Sequence, residues 1–205
     1  SLGPMLVSGG ECFNAVVNTC RNFVIKSKSG SMIKQAGVFL IQNDALVAMT
    51  PQEFVAEDDF QKLLSQYPDL LVGDQIDPEA PRRWILAKRE QAISTGELNA
   101  AIWSIDHVFL DQDGIPTLVE IKRKSDNRLR REVVGQMLDY ASNCTTYWTA
   151  DTLQTGFEQT CKEAGRSPEE VLSEHLNGEQ APEHFWLAVQ RNLHSRTLRL
   201  LFVAD

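Results

Sequence analysis

The chain has 205 residues, of which 42% are hydrophobic and 23% charged, and its formal net charge is −8 at pH 7. This length and apolar content suffice for one large domain, or for one domain with an appendage. The negative net charge argues against a protein that binds nucleic acid non-specifically along its length. No apolar run approaches the ~20 residues that cross a bilayer, and no secretory signal is evident. We therefore expect a soluble, cytoplasmic protein with no membrane partner.

The first elements in chain order are an extension, a hairpin and a helix. Residues 1–31 end in a linker-like stretch and form an N-terminal extension or an expression-derived segment, so the folded domain is predicted to span residues 32–205. Residues 38–41 and 45–49 flank a turn and predict a hairpin. Residues 50–53 have the form of a capping box, which places the start of a helix there or at Ala56.

Three ionisable residues, Asp106, Glu120 and Lys122, lie within otherwise apolar segments of the middle of the chain. Residues 102–110 and 115–122 are rich in β-forming side chains and flank an Asp-Gly turn, which predicts a hairpin. Burying charge costs several kcal/mol unless each group is paired or bound to a metal. Because side chains two residues apart share a strand face, Glu120 and Lys122 point the same way, and Asp106 can converge on them from the preceding strand.

Two converging carboxylates form a site for a hard cation. Asp106 and Glu120 suit Mg²⁺ or Mn²⁺, which readily take a phosphate oxygen as a further ligand. Lys122 beside them would favour the hydroxide form of a metal-bound water and stabilise a charged transition state. A Glu-x-Lys tripeptide is expected about once by chance in a chain of this length. The neighbouring elements must therefore support the interpretation.

A helix is predicted from Asn127 to about Asn143, downstream of the hairpin. Gln136 and Tyr140 are four residues apart and share a face with the apolar residues of this helix, so both are predicted to point toward the sheet. The alternative is an ordinary amphipathic helix with these two residues at the edge of its apolar stripe.

The order Asp106, then Glu120-Ile121-Lys122, then Gln136-x-x-x-Tyr140 resembles the PD-(D/E)XK nuclease superfamily, and more narrowly its RecB-like branch. The resemblance spans roughly residues 57–140. It departs from the usual pattern at Ser104, where related chains often have a basic or glycine residue. The fold that it implies is α/β: a restriction-endonuclease-like mixed central sheet flanked by helices.

The family usually adds a glutamate on a helix upstream of the aspartate, and residues 56–68 look like that helix. The helical period places Glu57 at one edge of the apolar stripe and Asp59 at the other, whereas Asp58 points away. We therefore assign the family's upstream glutamate to Glu57.

The resemblance implies a role for each matched residue. Glu57, Asp106, Glu120 and the Ile121 carbonyl would bind one or two Mg²⁺ or Mn²⁺ ions, and Lys122 would position and activate the attacking water. Gln136 and Tyr140 would orient the substrate strand or the Lys122 side chain. The implied reaction is hydrolysis of phosphodiester bonds. DNA is the favoured partner, although RNA contains the same phosphodiester linkage.

A run of basic residues leaves the predicted site directly. Beyond Lys122 it contains Arg123, Lys124, Arg128, Arg130 and Arg131, against Asp126 alone. The simplest interpretation is a solvated loop and helix start. Next to a carboxylate cluster, the run is better explained as the surface that binds the phosphate backbone, since carboxylates alone would repel a polyanion.

The rest of the chain is predicted to be mostly helical. Helices are expected from Asp151 to Ala164, from Ser167 to a stop at Gly178, and from Pro182 to Asn192. Residues 197–204 predict a strand that runs to the end of the sequence, which suggests a truncated domain of a longer protein with further domains. The central sheet is predicted to contain residues 84–87, 102–110, 115–122 and the region around Tyr147.

Cysteine and histidine usage argues against zinc. The four cysteines form no Cys-x-x-Cys pair, and the four histidines lack zinc-ligand spacing. The cysteines are therefore expected to be reduced and to pack as small hydrophobic residues. His107 should point to the face opposite Asp106, where a packed or solvated histidine is the favoured interpretation.

Two other hypotheses compete with the nuclease. The first is a catalytically silent nucleic-acid-binding or protein-interaction domain of the same fold, although such a domain could lose any of the three charged residues at little cost. The second is a regulatory or scaffold domain in which Glu120 and Lys122 form only an ion pair.

Overall fold

The structure is a computed structural model that describes residues 5–6, 12–19, 38–42, 45–49, 56–71, 73–94, 101–122 and 132–204. The predicted basic surface, Arg123, Lys124, Arg128, Arg130 and Arg131, lies outside these residues. The capping box at residues 50–53 and most of the N-terminal extension also lie outside them.

The chain forms eight strands and five helices within the described ranges. The strands are β1 (Met5–Leu6), β2 (Cys12–Thr19), β3 (Val38–Gln42), β4 (Ala45–Met49), β5 (Trp84–Ser94), β6 (Ala101–Asp111), β7 (Pro116–Lys122) and β8 (Arg199–Ala204). The helices are α1 (Glu57–Gln66), α2 (Glu132–Tyr147), α3 (Ala150–Glu163), α4 (Pro168–Leu176) and α5 (Pro182–His194).

The main sheet is mixed, with the strand order β1-β2-β8-β7-β6-β5. β5, β6 and β7 form an antiparallel meander, and β8 pairs with β7 in parallel, with Thr117 opposite Arg199. Strands β3 and β4 form the predicted hairpin as a separate two-stranded sheet. The prediction of a mixed α/β fold with a central sheet flanked by helices is confirmed.

One strand prediction is wrong. Tyr147, expected in the sheet, is the last residue of α2. The helical pattern continues one residue further, because the Trp148 amide donates to the Cys144 carbonyl at 2.8 Å, and both side chains are buried in the core. Strand β8 lies beside β7.

The sheet has a hydrophobic core on each face. On one face, which we call the multi-helix face, the buried residues of α2, α3, α4 and α5 pack on Val108, Leu118 and Leu200. On the other, the α1 face, Phe60 and Leu64 of α1 pack on Phe109, Val119 and Ile121. The alternation of β7 therefore sends Leu118 and Glu120 to the multi-helix face, and Val119 and Ile121 to the α1 face.

Local signals explain most helix boundaries. The hydroxyl of Ser167 caps α4 by accepting from the Glu170 amide, and α4 stops before Gly178, as predicted. The helix predicted to start at Asp151 starts at Ala150, because the hydroxyl of Thr149 accepts from the Thr152 amide and caps it instead. Cys144 and Cys161 are free and buried, in agreement with their predicted role as small hydrophobic residues. No helix in the described ranges is long and apolar enough to span a membrane.

Candidate functional site

The β6–β7 hairpin places Asp106 beside the Glu-x-Lys strand. His107 pairs with Val119, so the next position along the two strands sets Asp106 opposite Glu120. The Oδ2 atom of Asp106 accepts a hydrogen bond from the Ile121 amide at 2.7 Å. This bond fixes the carboxylate of one strand to the backbone of the other.

Lys122 connects the hairpin to α1. Its Nζ atom lies 2.8 Å from Oε1 of Glu120, 3.0 Å from the Ile121 carbonyl oxygen and 3.5 Å from Oε1 of Glu57. Glu57 is the first residue of α1, so the N-terminus of that helix reaches the edge of the sheet where β7 ends. Two of the predicted metal-binding carboxylates, Glu57 and Glu120, and the Ile121 carbonyl are thus gathered around the ammonium group of Lys122.

Burial and like charge shift the titration of both hairpin carboxyls. Burial raises the pKa of Glu120 to about 7, with a further increase from the charge of Asp106, and the hydrogen bond from Lys122 opposes both effects. Burial also raises the pKa of Asp106, against the Ile121 amide and the charge of Lys122, which lower it. Burial acts to lower the pKa of Lys122, but the bond to Glu120 and the surrounding carboxylates outweigh it and raise that pKa.

The second oxygen of Glu120 has no partner within the part of the chain that the structure describes. Glu120 is only 3% exposed, and its Oε2 atom is buried without a hydrogen bond to any described residue. A buried carboxylate oxygen left in this state is costly. A cation at Oε2, with further oxygen ligands from Asp106 and the Ile121 carbonyl, would satisfy it, and such oxygen ligands suit Mg²⁺ or Mn²⁺.

The carboxylates do not form a complete metal-binding cluster. Among the residues whose side chains the structure describes, no three His, Cys, Asp or Glu side chains are arranged to hold one ion. Lys122 lies between Glu57 and Glu120 and pairs with both. A single ion bound by Glu57 together with the hairpin carboxylates would therefore require the ammonium group to move.

Gln136 and Tyr140 face the same side of the sheet from α2. The Gln136 amide nitrogen donates to the Tyr140 hydroxyl, and Tyr140 is buried in the core of the multi-helix face. Burial raises the pKa of Tyr140 against the Gln136 hydrogen bond, and the charges of Glu120 and Asp106 raise it further. The helix therefore packs Tyr140 inward, as predicted, and holds the half-buried Gln136 against it, and the tyrosine lies within electrostatic reach of the carboxylates.

His107 packs on the opposite face, as predicted. Its Nε2 atom lies 2.8 Å from the Ser65 hydroxyl and 3.0 Å from the Gln61 carbonyl, and its ring stacks on Phe109 at a centroid distance of 5.6 Å. Burial lowers the pKa of His107 to about 4. It is therefore neutral at pH 7 and links α1 to the sheet.

Sequence reasoning missed two charged residues beside the site, Arg89 and Glu90. The strand predicted at residues 84–87 continues through the charged residues after Ala87 and ends at Ser94. Glu90 lies opposite Asp106, between the pairs Arg89–His107 and Gln91–Ile105, and has a φ of 52°. Its negative charge helps to raise the pKa of Asp106. No motif marks either residue; only the strand pairing identifies them.

A second buried ionic cluster lies at the other end of the hairpin. Nη1 of Arg199 donates to Oδ2 of Asp111 at 3.1 Å and to the Thr117 hydroxyl at 2.9 Å, and the guanidinium lies 5.3 Å from the centre of the Trp84 ring. Oδ1 of Asp111 accepts from the Asp113 and Ile115 amides. Because both carboxylate oxygens are bonded, this cluster is a structural link between β8 and the hairpin. The carboxylate of Glu120 differs from that of Asp111, because one of its two oxygens has no hydrogen bond to a described residue.

Comparisons with known proteins add no relative. No family model, curated protein or solved structure matches this chain. The fold and the site are therefore interpreted from the residues themselves: a mixed α/β sheet that gathers a buried carboxylate (Glu120), a half-buried one (Asp106), a lysine and a helix-borne glutamate at one end of a hairpin.

Proposed function

We propose that this chain is a Mg²⁺- or Mn²⁺-dependent nuclease of the PD-(D/E)XK superfamily, in its RecB-like branch, with a restriction-endonuclease-like sheet. Its substrate would be the phosphodiester bonds of nucleic acid, with DNA favoured. The observation that carries the proposal is the unpartnered Oε2 of Glu120, buried beside Asp106 and Lys122. A domain with no use for a cation at this position would gain stability from a neutral residue there.

The residues that would hold the ion are Asp106, Glu120 and the Ile121 carbonyl, with Glu57 from the N-terminus of α1. When bound, the ion supplies Lewis acidity at the scissile phosphate. It would also neutralise the two hairpin carboxylates, whose burial and neighbouring negative charges now raise their pKa values.

Lys122 would supply the positive charge that remains next to the reacting phosphate. Its ammonium is held by Glu120 and Glu57, and the surrounding carboxylates keep it protonated. From this place it would hydrogen-bond the attacking water and stabilise charge that develops on the phosphoryl oxygens. Gln136 and Tyr140 would orient the substrate strand or Lys122, and the basic residues between 123 and 131 would bind the phosphate backbone.

A catalytically silent domain of the same fold is the second candidate. The observation that favours it is the position of Lys122, which pairs with both Glu57 and Glu120 and so compensates their charge without a metal. In that case the ion pairs complete the site, and divalent ions should not bind there.

Calorimetric titration with Mn²⁺ distinguishes the two candidates. The nuclease proposal predicts that the parent protein binds Mn²⁺ and that Asp106→Ala and Glu120→Ala each abolish this binding. Asp139→Ala, which removes an exposed carboxylate of α2, is the matched control and should leave the affinity unchanged. No Mn²⁺ binding to the parent protein, or equal binding by all four proteins, would refute the proposed metal site.

A further inference from the structure

Helix α1 carries Glu57 to the site, yet its first turn lacks a side-chain cap. Ala56 occupies the N-cap position and provides no side-chain hydrogen bond, so the first amides lack the usual cap. The buried apolar residues of the helix, Phe60 and Leu64, lie further along it. An uncapped first turn frays readily, and Glu57 is its first residue.

Arg89 of β5 contacts this turn from the sheet. Its Nη2 atom donates to Oδ1 of Asp58 and, at 3.1 Å, to Oε1 of Gln61, and it lies 3.6 Å from Oε1 of Glu90. The Arg89 side chain is 26% exposed, so these contacts are partly shielded from water. Arg89 thus connects residues in the first two turns of α1 to the strand that lies opposite Asp106 and His107.

Among the described partners of Asp58, Arg89 is the one that belongs to the sheet. Asp58 also pairs with Lys62, at 2.6 Å, but that bond lies within α1 and does not connect the helix to any other element. Two further polar links join α1 to the sheet: His107 binds further along the helix at Gln61 and Ser65, and Lys122 lies 3.5 Å from Glu57 itself. Arg89 is therefore the described side chain that joins the sheet to Asp58, the residue next to Glu57.

We propose that Arg89 is a positioning residue that holds Glu57 at the site through Asp58 and Gln61. The proposal rests on the proposed function, in which Glu57 is a metal ligand. The Nη2 atom of Arg89 has two hydrogens and donates to the aspartate and the glutamine at the same time, whereas the shorter side chain of a lysine ends in a compact point charge. Arg89 does not cap the free amides, but it fixes the first turn of α1 to the sheet, and the fixed turn places the Glu57 carboxylate 3.5 Å from Lys122.

The first test measures the helix and does not depend on a metal. Arg89→Ala should increase amide hydrogen exchange in the first turn of α1, while β6 and β7 keep the protection of the parent protein. Lys62→Ala is the matched control, because it removes the other partner of Asp58 and leaves the bond to β5 intact. Arg89→Lys should give an intermediate increase. Unchanged exchange at the start of α1 in both Arg89 variants would overturn the proposal.

The second test is a double-mutant cycle that measures Mn²⁺ affinity. Arg89→Ala should weaken Mn²⁺ binding by about tenfold in the parent background, and should have no further effect in a Glu57→Gln background. Equal weakening in both backgrounds would overturn the proposal, because Arg89 would then act by a general structural effect. If the parent protein binds no Mn²⁺, the proposed function fails, and hydrogen exchange still decides whether Arg89 fixes the first turn.

Discussion

Replacing the Glu120 carboxylate with a neutral amide should stabilise the protein at alkaline pH. The pKa of Glu120 rises from 4.5 to about 7, chiefly through burial. The folded state therefore holds the proton more tightly than the unfolded state, and stability is lost as the pH rises from 4.5 through 7. The loss is about 3 kcal/mol above pH 7, at 1.36 kcal/mol for each pKa unit. Glutamine has the shape of the protonated acid and avoids this loss.

The assay is thermal unfolding of the parent protein and Glu120→Gln in chelator, at pH 4.5 and pH 8.5. For a chain of this size, about 1 kcal/mol corresponds to roughly 2–4 °C, so Glu120→Gln should raise the Tm by about 6–12 °C at pH 8.5. At pH 4.5 the two Tm values should coincide. The exposed-residue control Glu183→Gln should stay within about 2 °C of the parent at both pH values. A Glu120→Gln variant that is less stable than the parent at pH 8.5 would refute the conclusion that burial destabilises the Glu120 carboxylate.

Two further predictions address nucleic-acid binding and the α1 face. Neutralising Arg128, Arg130 and Arg131 together should weaken binding to all nucleic-acid sequences and flatten its salt dependence, because phosphate contacts carry no base information; an unchanged affinity and salt slope would place the phosphate-binding surface elsewhere. The pKa of His107 falls from 6.5 to about 4, so the unfolded state binds its proton more tightly and stability is lost as the pH falls through this range. The stability advantage of the parent over His107→Gln, measured by urea denaturation, should therefore shrink by about 3 kcal/mol between pH 7.5 and pH 4, and a constant difference would show that His107 is not held neutral.

Local signals in the sequence were sufficient for the elements that build the site. Alternation and the Asp-Gly turn predicted the hairpin that sets Asp106 opposite Glu120, and the apolar stripe predicted α1 and its buried face. Capping residues predicted where α4 starts and stops. In each case the interactions that decide the structure connect residues that are close in the sequence.

Long-range pairing could not be predicted in the same way. The strand at residues 197–204 was predicted, but its place beside β7 depends on parallel pairing across about 80 residues, and the region around Tyr147, predicted as part of the sheet, is helical. The contact of Arg89 with Asp58 depends on how α1 packs on the sheet. The second half of β5 was not predicted, because charged residues follow Ala87 and interrupt the apolar pattern. A strand that is partly exposed to water tolerates such residues.

Cleavage of labelled nucleic acid tests the central claim most directly. The parent protein and Lys122→Ala would be incubated with single- and double-stranded DNA and RNA, with and without Mn²⁺. We expect the parent to cleave in Mn²⁺, and Lys122→Ala to keep Mn²⁺ and substrate binding while losing cleavage by about 10² or more, the scale on which one transition-state-stabilising group acts. Equal cleavage by both proteins would contradict the role of Lys122 and leave the nuclease assignment intact. A parent protein that cleaves none of these substrates with any divalent metal would contradict the nuclease assignment itself.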